Sequence, residues 1–292
     1  MIASISTLGP YGRAAFGLAM ATLGMVSVIG YVVYLRAIWG NRELQKRTIF
    51  LMSLCVSDLL MIFGHMAWTV AATFHQSWPF GDLGCQVTAF FAMGPALVSI
   101  ANVTLISIDT YYRECKKEYC GVNYGIYLAA IWITGLAAGF LPILGMGSYG
   151  FESPLQVGCL LDFHEAKRGI VTYIALLTVV WFIYPMFKLV KYYNMLQKET
   201  GDRFLLRVVP TQMLCTWTPY AVCSILFLVA GLTNVPQVPL AIISNLCAKI
   251  SIASNPYIYI AGDPKLRIAC QQMLFGKKMT FNSDVTIKEK ST

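Results

Sequence analysis

Seven long apolar stretches, separated by short polar connections, constrain this 292-residue chain more than any other feature. An α-helix needs about 20 apolar residues to cross a bilayer, and each stretch reaches that length. Because lipid offers no hydrogen bonds to an open backbone, the spans must satisfy their backbone groups internally. We therefore predict an all-α fold, a bundle of seven transmembrane helices. The spans cover roughly 14–38, 48–74, 83–109, 122–146, 169–196, 204–231 and 237–260.

The segment after the last span predicts an eighth, shorter helix. Asp263-Pro264 can begin a helix, because proline is well tolerated at the first helical position. The following PKLRIACQQMLF combines an apolar stripe with basic flanks, which is typical of a helix lying on a membrane surface. We thus divide the chain into a seven-helix membrane domain at 1–262, an amphipathic surface helix at 263–276 and a short cytoplasmic tail at 277–292.

The basic residues predict the orientation of the bundle. Eighteen of the 22 lysines and arginines flank the connections at 39–47, 110–121 and 197–203 or lie near the C-terminus, and three lie on the other side. Since positive residues are retained in the cytosol, we expect a multi-pass membrane protein with its N-terminus extracellular or lumenal. The net charge of +8 is then a topology signal that suits anionic membrane lipid. It is no argument for nucleic-acid binding.

Lys249 lies near the middle of the last span, which reads LAIISNLCAKISIASNPYIYI. A charge at that depth costs about 2.5–3.5 kcal/mol on insertion scales, and roughly 15 Å of helix on either side hinders escape to an interface. An inward-facing lysine paired with a carboxylate would be a structural explanation. A lysine kept uncharged by desolvation would instead be a nucleophile, able to hold a carbonyl ligand as a Schiff base.

Other polar residues inside the spans allow more than one interpretation. Asp58 in the second span predicts either a sodium or water-network site or a direct hydrogen bond between helices. His65, farther along the same span, is interpreted as structural. Cys85 and Cys159 are the two cysteines on the outer side, so an oxidising compartment favours a disulfide between them. No spacing among the other cysteines indicates a metal site; they are Cys55, Cys115, Cys120, Cys215, Cys223, Cys247 and Cys270.

Together these residues resemble the rhodopsin-like seven-helix receptors over nearly the whole chain. Lys249, six residues before Asn255, sits where opsins attach retinal. Within the opsins, the sequence looks most like the branch of peropsins, neuropsins and retinal photoisomerase opsins. The matching residues are Asp58, Trp78, Cys85 with Cys159, Asp109-Thr110-Tyr111, Trp132, Pro185 with Tyr193, Trp217-Thr218-Pro219-Tyr220 and Asn255-Pro256-Tyr257-Ile258-Tyr259.

The resemblance implies that retinal, 11-cis or all-trans, is bound to Lys249 as a Schiff base. Once protonated, that imine needs a counterion. The position that supplies the acid in vertebrate visual opsins is Thr88 here, so Glu152 in the outer loop is the nearest candidate; a solvated loop carboxylate is its alternative. The implied chromophore pocket comprises Trp217, for which plain core packing is the alternative, together with Tyr220, Phe182, Trp181 and Thr88.

The same resemblance assigns an activation network, with two departures. The first helix lacks the family's asparagine and has Ile29, Gly30 and Tyr31 in that neighbourhood. Thr110 replaces the arginine that normally contacts a G protein. The residues assigned to the network are Asp58, Asp109, Thr110, Tyr111, Tyr193, Asn255, Pro256 and Tyr259.

Two functions follow from these features. A retinal photoisomerase, converting all-trans to 11-cis retinal, is favoured by the missing arginine and the short connection after the fifth span. A light-activated G-protein-coupled photoreceptor is favoured by Tyr193 and Tyr259. A receptor for a diffusible ligand is less well supported, since Ala92 stands where amine receptors place an aspartate. We expect membrane lipid, retinal and retinoid-carrier proteins as partners, a G protein in the receptor case, and no hydrolytic, redox, metal or proton-pumping site.

Overall fold

The computed structural model describes residues 9–75, 77–116, 123–151, 157–162, 169–200, 204–230 and 237–276. In that part of the chain the helices follow one another with a single two-stranded hairpin between the fifth and the sixth. They are α1 Pro10–Ile38, α2 Arg42–Arg47, α3 Ile49–His75, α4 Gly81–Lys116, α5 Tyr124–Phe140, α6 Ile170–Thr200, α7 Phe204–Ala230, α8 Gln237–Gly262 and α9 Pro264–Phe275.

Seven of these helices form the predicted bundle, with α2 and α9 as short additions at one end. Four of them, α1, α3, α4 and α6, are individually long and apolar enough to cross a bilayer, and α5 is apolar but shorter. The helices α7 and α8 have 27 and 26 residues. Many large apolar side chains point outward, including Leu18 and Ile29 on α1, Ile133 on α5 and Phe187 on α6. A bundle with such an outer surface suits lipid rather than water.

The helix α5 ends earlier than the apolar pattern suggests. The sequence predicts a span over 122–146, whereas the helix ends at Phe140 and turns follow through Gly145. Pro142 cannot donate an intrahelical hydrogen bond, and Gly145 has a φ of +100°, which favours glycine. Apolar residues therefore continue beyond the point where the backbone stops being helical.

Glycines bring α4 and α5 into close contact. A Cβ added at Gly139 would lie 2.6 Å from the Gly94 backbone, and one added at Gly135 would lie 2.6 Å from the Val98 side chain. Small residues at a helix crossing allow two backbones to approach, which is the usual source of packing energy inside a membrane. Trp132 on the same helix donates a hydrogen bond of 3.0 Å to Ser53 of α3.

A β-hairpin covers one end of the bundle. Its strands β1 Tyr149–Phe151 and β2 Cys159–Leu161 are antiparallel, with Phe151 opposite Cys159. The predicted disulfide is present and joins Cys159 to Cys85 near the start of α4. Gln86 also donates a hydrogen bond to the Tyr149 carbonyl at 3.0 Å. The hairpin is thus attached to α4 by one covalent bond and one hydrogen bond, and we call this end of the bundle the disulfide end.

The opposite end, which carries Arg47, Arg113 and α9, is called the basic end. Asp263 caps α9 by accepting hydrogen bonds from the Lys265 and Leu266 amides, and Gly276 ends the helix in the left-handed conformation. Leu266 and Cys270 are buried against the bundle. The sequence signals for this helix, an acidic cap followed by proline, match its observed start.

Candidate functional site

Lys249 lies inside the bundle on α8 with only 5% of its surface exposed. It lines a cavity of about 40 Å³ between α3, α4, α7, α8 and the hairpin. Almost all of the wall is apolar or aromatic, so a primary amine faces a hydrophobic space. The lining residues are Met61, Ala92, Met93, Ala96, Leu160, Trp217, Tyr220, Asn245, Ala248, Lys249 and Ile252.

A second cavity, of about 80 Å³, continues from the first toward α6. The two share Met93, Ala96, Trp217 and Tyr220, so they are adjacent parts of one elongated region. Trp181 and Phe182 line the far part. The structure therefore gathers all four aromatic residues predicted for the pocket around a space that begins at Lys249.

Thr88, the other residue predicted for this pocket, is absent from both cavity walls in the described part of the chain. Its side chain is buried, and its hydroxyl donates to the Gly84 carbonyl at 2.8 Å within its own helix. The role of Thr88 beside the ligand stays a prediction.

The hairpin closes the cavities from the disulfide end. Leu160 lines the first cavity and Leu161 lines the second. The disulfide from Cys159, at the start of the same strand, to Cys85 of α4 fixes their position. Glu152, the predicted counterion, directly follows β1 but lies outside the described residues, so its role also stays a prediction. Cys120 lies outside them too; the other six described cysteines are not part of the disulfide.

His65, which the sequence interpretation treats as structural, is buried in α3 with 1% of its surface exposed. Neither ring nitrogen has a hydrogen-bond partner among the described residues. Spacing alone shows only that His65 lies seven residues after Asp58 and so on a similar face of α3.

Asp58 is held by direct hydrogen bonds from three other helices. Tyr31 of α1 donates to one carboxyl oxygen at 2.6 Å, Ser99 of α4 donates to the other at 2.8 Å, and the Asn255 amide of α8 donates at 2.9 Å. Gln212 of α7 in turn donates to Asn255 at 3.0 Å. Of the two interpretations of Asp58, the direct inter-helix hydrogen bond is the one that the described contacts display.

Tyr31 thereby supplies α1 with a polar contact although the family's asparagine is missing. Its neighbour Gly30 lies against Pro256, because a Cβ added at Gly30 would be 2.6 Å from the proline ring. The close approach of α1 and α8 at this glycine brings the Tyr31 hydroxyl within reach of Asp58.

At the basic end, Arg113 pairs with Asp109 one helical turn earlier, at 2.6 Å. Asp109 also accepts a hydrogen bond from Tyr124 of α5 at 2.9 Å. Arg113 further donates to the Arg47 carbonyl at 2.8 Å and contacts the Thr110 hydroxyl at 3.5 Å. The acidic residue of the Asp109-Thr110-Tyr111 motif thus has an arginine partner, which the sequence analysis missed because it looked for that arginine at position 110.

Arg47 links three elements across the same end. Its guanidinium lies 2.6 Å from Glu114 of α4 and 2.8 Å from Asp263 before α9. Burial opposes its charge, but these two carboxylates outweigh that effect and raise the pKa of Arg47. The ion pairs line a cleft that also contains Thr110 and Tyr259.

The remaining residues of the predicted network lie between the two ends. Tyr193 and Tyr259 are buried in the same hydrophobic cluster, and neither hydroxyl has a hydrogen-bond partner among the described residues. Tyr111 is buried with its ring 5.7 Å from that of Tyr192. No cluster of potential metal ligands occurs among the described residues.

Comparisons with known proteins agree with this geometry. A family model described as 7 transmembrane receptor (rhodopsin family) matches residues 30–259. The human visual pigment-like receptor peropsin is 26% identical over 276 residues, which cover 86% of this chain and 81% of peropsin. The human RPE-retinal G protein-coupled receptor is 27% identical over 193 residues, covering 64% and 66% of the two chains.

Among solved structures, the crystal structure of squid rhodopsin matches with a TM-score of 0.79 at 21% identity, covering 92% of this chain and 87% of the squid chain. That likeness concerns the fold. The predicted seven-helix bundle, the predicted integral membrane class and the resemblance seen in the motifs are confirmed.

Proposed function

The chain belongs to the rhodopsin family of seven-transmembrane receptors, and on that premise we propose that it is an opsin holding retinal, 11-cis or all-trans, as a Schiff base on Lys249. The observation that carries the proposal is a buried lysine opening into an elongated cavity with Trp217 and Tyr220 in its wall. Such a cavity suits an apolar aldehyde, because one amine meets an otherwise hydrophobic surface. When bound, retinal supplies the aldehyde carbon for the imine and a polyene that light isomerises.

Each residue around the cavity then has a distinct role in holding the ligand. Lys249 provides the nucleophilic nitrogen, and the burial of its side chain keeps that nitrogen away from water. Trp217 and Tyr220, near the kinking Pro219 of α7, border both cavities and limit the shapes that the polyene can adopt. The hairpin residues Leu160 and Leu161 cover the space, and the disulfide keeps them there. Glu152 supplies the negative charge that a buried protonated imine requires.

We place the basic end in the cytosol, as the distribution of lysine and arginine favours. Between the two activities we favour the photoisomerase. At the basic end, Arg47 forms ion pairs with Glu114 of α4 and with Asp263 at the start of α9. Arg113 forms an ion pair with Asp109. Thr110 cannot supply the charged contact that a G protein would use. Retinoid carriers would deliver all-trans retinal and remove the 11-cis product.

The receptor is the second candidate, and the packing of two tyrosines favours it. Tyr193 of α6 and Tyr259 of α8 are buried in the same hydrophobic cluster, so movement of either helix would change the surroundings of both. Isomerisation could then bias the bundle toward a form that binds a G protein.

One experiment separates the two candidates. The protein is purified with all-trans retinal, illuminated, and the isomers are extracted before and after light. Net conversion to 11-cis retinal supports the isomerase, whereas stable light-dependent nucleotide exchange on a G protein without such conversion supports the receptor. Borohydride reduction should link retinal to the wild-type chain and not to Lys249→Ala; a normal pigment in that variant contradicts the retinal assignment altogether.

A further inference from the structure

A groove between α4, α5 and α6, on the outside of the bundle, plays no part in the proposed function. Its volume is about 610 Å³, compared with about 40 Å³ for the cavity at Lys249. Val180 and Tyr184 of α6 line the groove and are 40% and 54% exposed. Because the outer surface of the bundle suits lipid rather than water, the groove opens toward the membrane.

The groove is apolar toward the middle of the bundle and polar toward the basic end. Its inner part is lined by Ala101 of α4, Ile131 of α5 and Val180 of α6. Tyrosine is enriched where a membrane meets water, because its ring is apolar and its hydroxyl is polar. The part of the groove nearer the basic end is lined by a lysine and five tyrosines, namely Lys188, Tyr112, Tyr124, Tyr127, Tyr184 and Tyr192.

Lys188 of α6 is a half-buried cation in the groove wall. Its Nζ atom lies 5.2 Å from the centroid of the Tyr184 ring and 5.9 Å from that of the Tyr192 ring. Among the described residues every ion pair involves Arg47 or Arg113, and none involves Lys188. Aromatic rings stabilise an ammonium group only modestly, whereas cations within membrane helices usually pair with an opposite charge. The charge of Lys188 is thus available to an anionic ligand.

The carboxylate in the same wall already has partners of its own. Asp109 forms an ion pair with Arg113 at 2.6 Å and accepts a hydrogen bond from Tyr124 at 2.9 Å. Its negative charge is therefore compensated within the basic end. The groove presents a positive charge beside an apolar channel, which is complementary to an amphiphile with an acidic head.

We propose that this groove binds a phospholipid with an anionic headgroup from the cytosolic leaflet of the membrane. The Lys188 ammonium donates a hydrogen bond to the phosphate, and one acyl chain extends past Val180 toward Ala101. The helical rise from Lys188 to Val180 is roughly 12 Å, enough to accommodate a segment of an acyl chain. With the basic end in the cytosol, the groove meets the leaflet that carries the anionic lipids. The proposal does not depend on retinal binding.

The test uses the full-length protein in detergent, with phosphatidylserine and phosphatidylcholine titrated separately and bound lipid counted by native mass spectrometry. We expect phosphatidylserine to bind more tightly to the wild type. Lys188→Gln should weaken phosphatidylserine binding roughly tenfold, the change expected for a lost hydrogen bond between charged groups, and Lys188→Arg should retain it. Val180→Trp leaves the charge in place but fills the channel, so it should weaken the binding of both lipids.

The matched control is Lys191→Gln, which removes an exposed lysine of the same helix and should leave phosphatidylserine binding unchanged. An equal loss in Lys188→Gln and Lys191→Gln would overturn the proposal, because general surface charge would then explain the attraction. Equal affinity of the wild type for the two lipids would overturn it as well. Thermal unfolding without added lipid shows whether each variant folds. If Lys188→Gln does not fold, Val180→Trp decides, since wild-type lipid binding in that variant would exclude the groove.

Discussion

Asp58 shows how one buried carboxyl can bring four helices together. Its donors come from α1, α4 and α8, and Gln212 extends the network to α7 through Asn255. Each hydrogen bond to a charged or strongly polar group in the interior contributes more than an exposed one, because its alternative is an unsatisfied group in a low-dielectric environment. The network therefore stabilises the middle of the bundle.

At the scale of single residues, the first prediction concerns Tyr31. Replacing Tyr31 with Phe removes the 2.6 Å hydrogen bond to Asp58 and leaves the packed ring in place. We expect a loss of about 1.5–3 kcal/mol in the free energy of unfolding, the range for hydrogen bonds to charged groups. Thermal unfolding in detergent measures it. Tyr127→Phe, on an exposed ring, is the control; equal stability of Tyr31→Phe and the wild type would mean that Ser99 and Asn255 satisfy Asp58 by themselves.

The elements are held together by two kinds of close contact. At the disulfide end, a covalent bond attaches the hairpin to α4. Within the bundle, α4 and α5 approach so closely at Gly94 and Gly139 that a single methyl group would meet backbone atoms. Backbone cannot move aside as a flexible side chain can, so this crossing has little tolerance for larger residues.

The second prediction follows for α5. Gly139→Ala places a Cβ 2.6 Å from the Gly94 backbone, so the two helices must separate, and overpacking of this kind typically costs about 1–3 kcal/mol. We expect a lower unfolding temperature in detergent. Gly125→Ala in the first turn of the same helix meets only the Asn123 side chain and should behave like the wild type. The same loss in both variants would contradict the crossing as the cause, because alanine by itself favours a helix over glycine at either position.

On the scale of the whole molecule, the cavity at Lys249 and the ion pairs of the basic end lie at opposite ends of the bundle. Lys249 and its cavity lie toward the hairpin, whereas Thr110, Arg113 and Arg47 line a cleft at the opposite end. Changes at the basic end should therefore affect coupling to partners and leave the spectrum of a bound chromophore alone.

The third prediction tests this separation. Thr110→Arg should leave the retinal absorption band unchanged and raise light-dependent nucleotide exchange on a G protein. Because Arg113 already occupies Asp109 at 2.6 Å, the double change Thr110→Arg with Arg113→Gln should raise exchange further, since the new arginine then has the carboxylate to itself. Arg207→Gln, on an exposed residue of α7, controls for the loss of one positive charge. Strong exchange with Thr110 in place would instead favour the receptor over the isomerase.

Much of the architecture could be predicted from the order of residues along the chain. The seven apolar spans, the lysine in the middle of the last one, the Cys85–Cys159 pair and the acidic cap of α9 depend on local composition or on chain topology. A bilayer leaves few alternatives for such segments, because each must satisfy its own backbone hydrogen bonds. The motif residues carried the family resemblance for the same reason, since each stands at a set position within a span.

Only the tertiary structure decided which side chains meet. The hydrogen bonds from Tyr31 and Asn255 to Asp58 depend on how far each helix is rotated and how closely it approaches its neighbours. Spacing along one helix defines a face but not the residue that a neighbouring helix presents to it. Contacts such as Gly30 against Pro256 set that rotation and approach, and they arise from packing across the bundle rather than from any single segment.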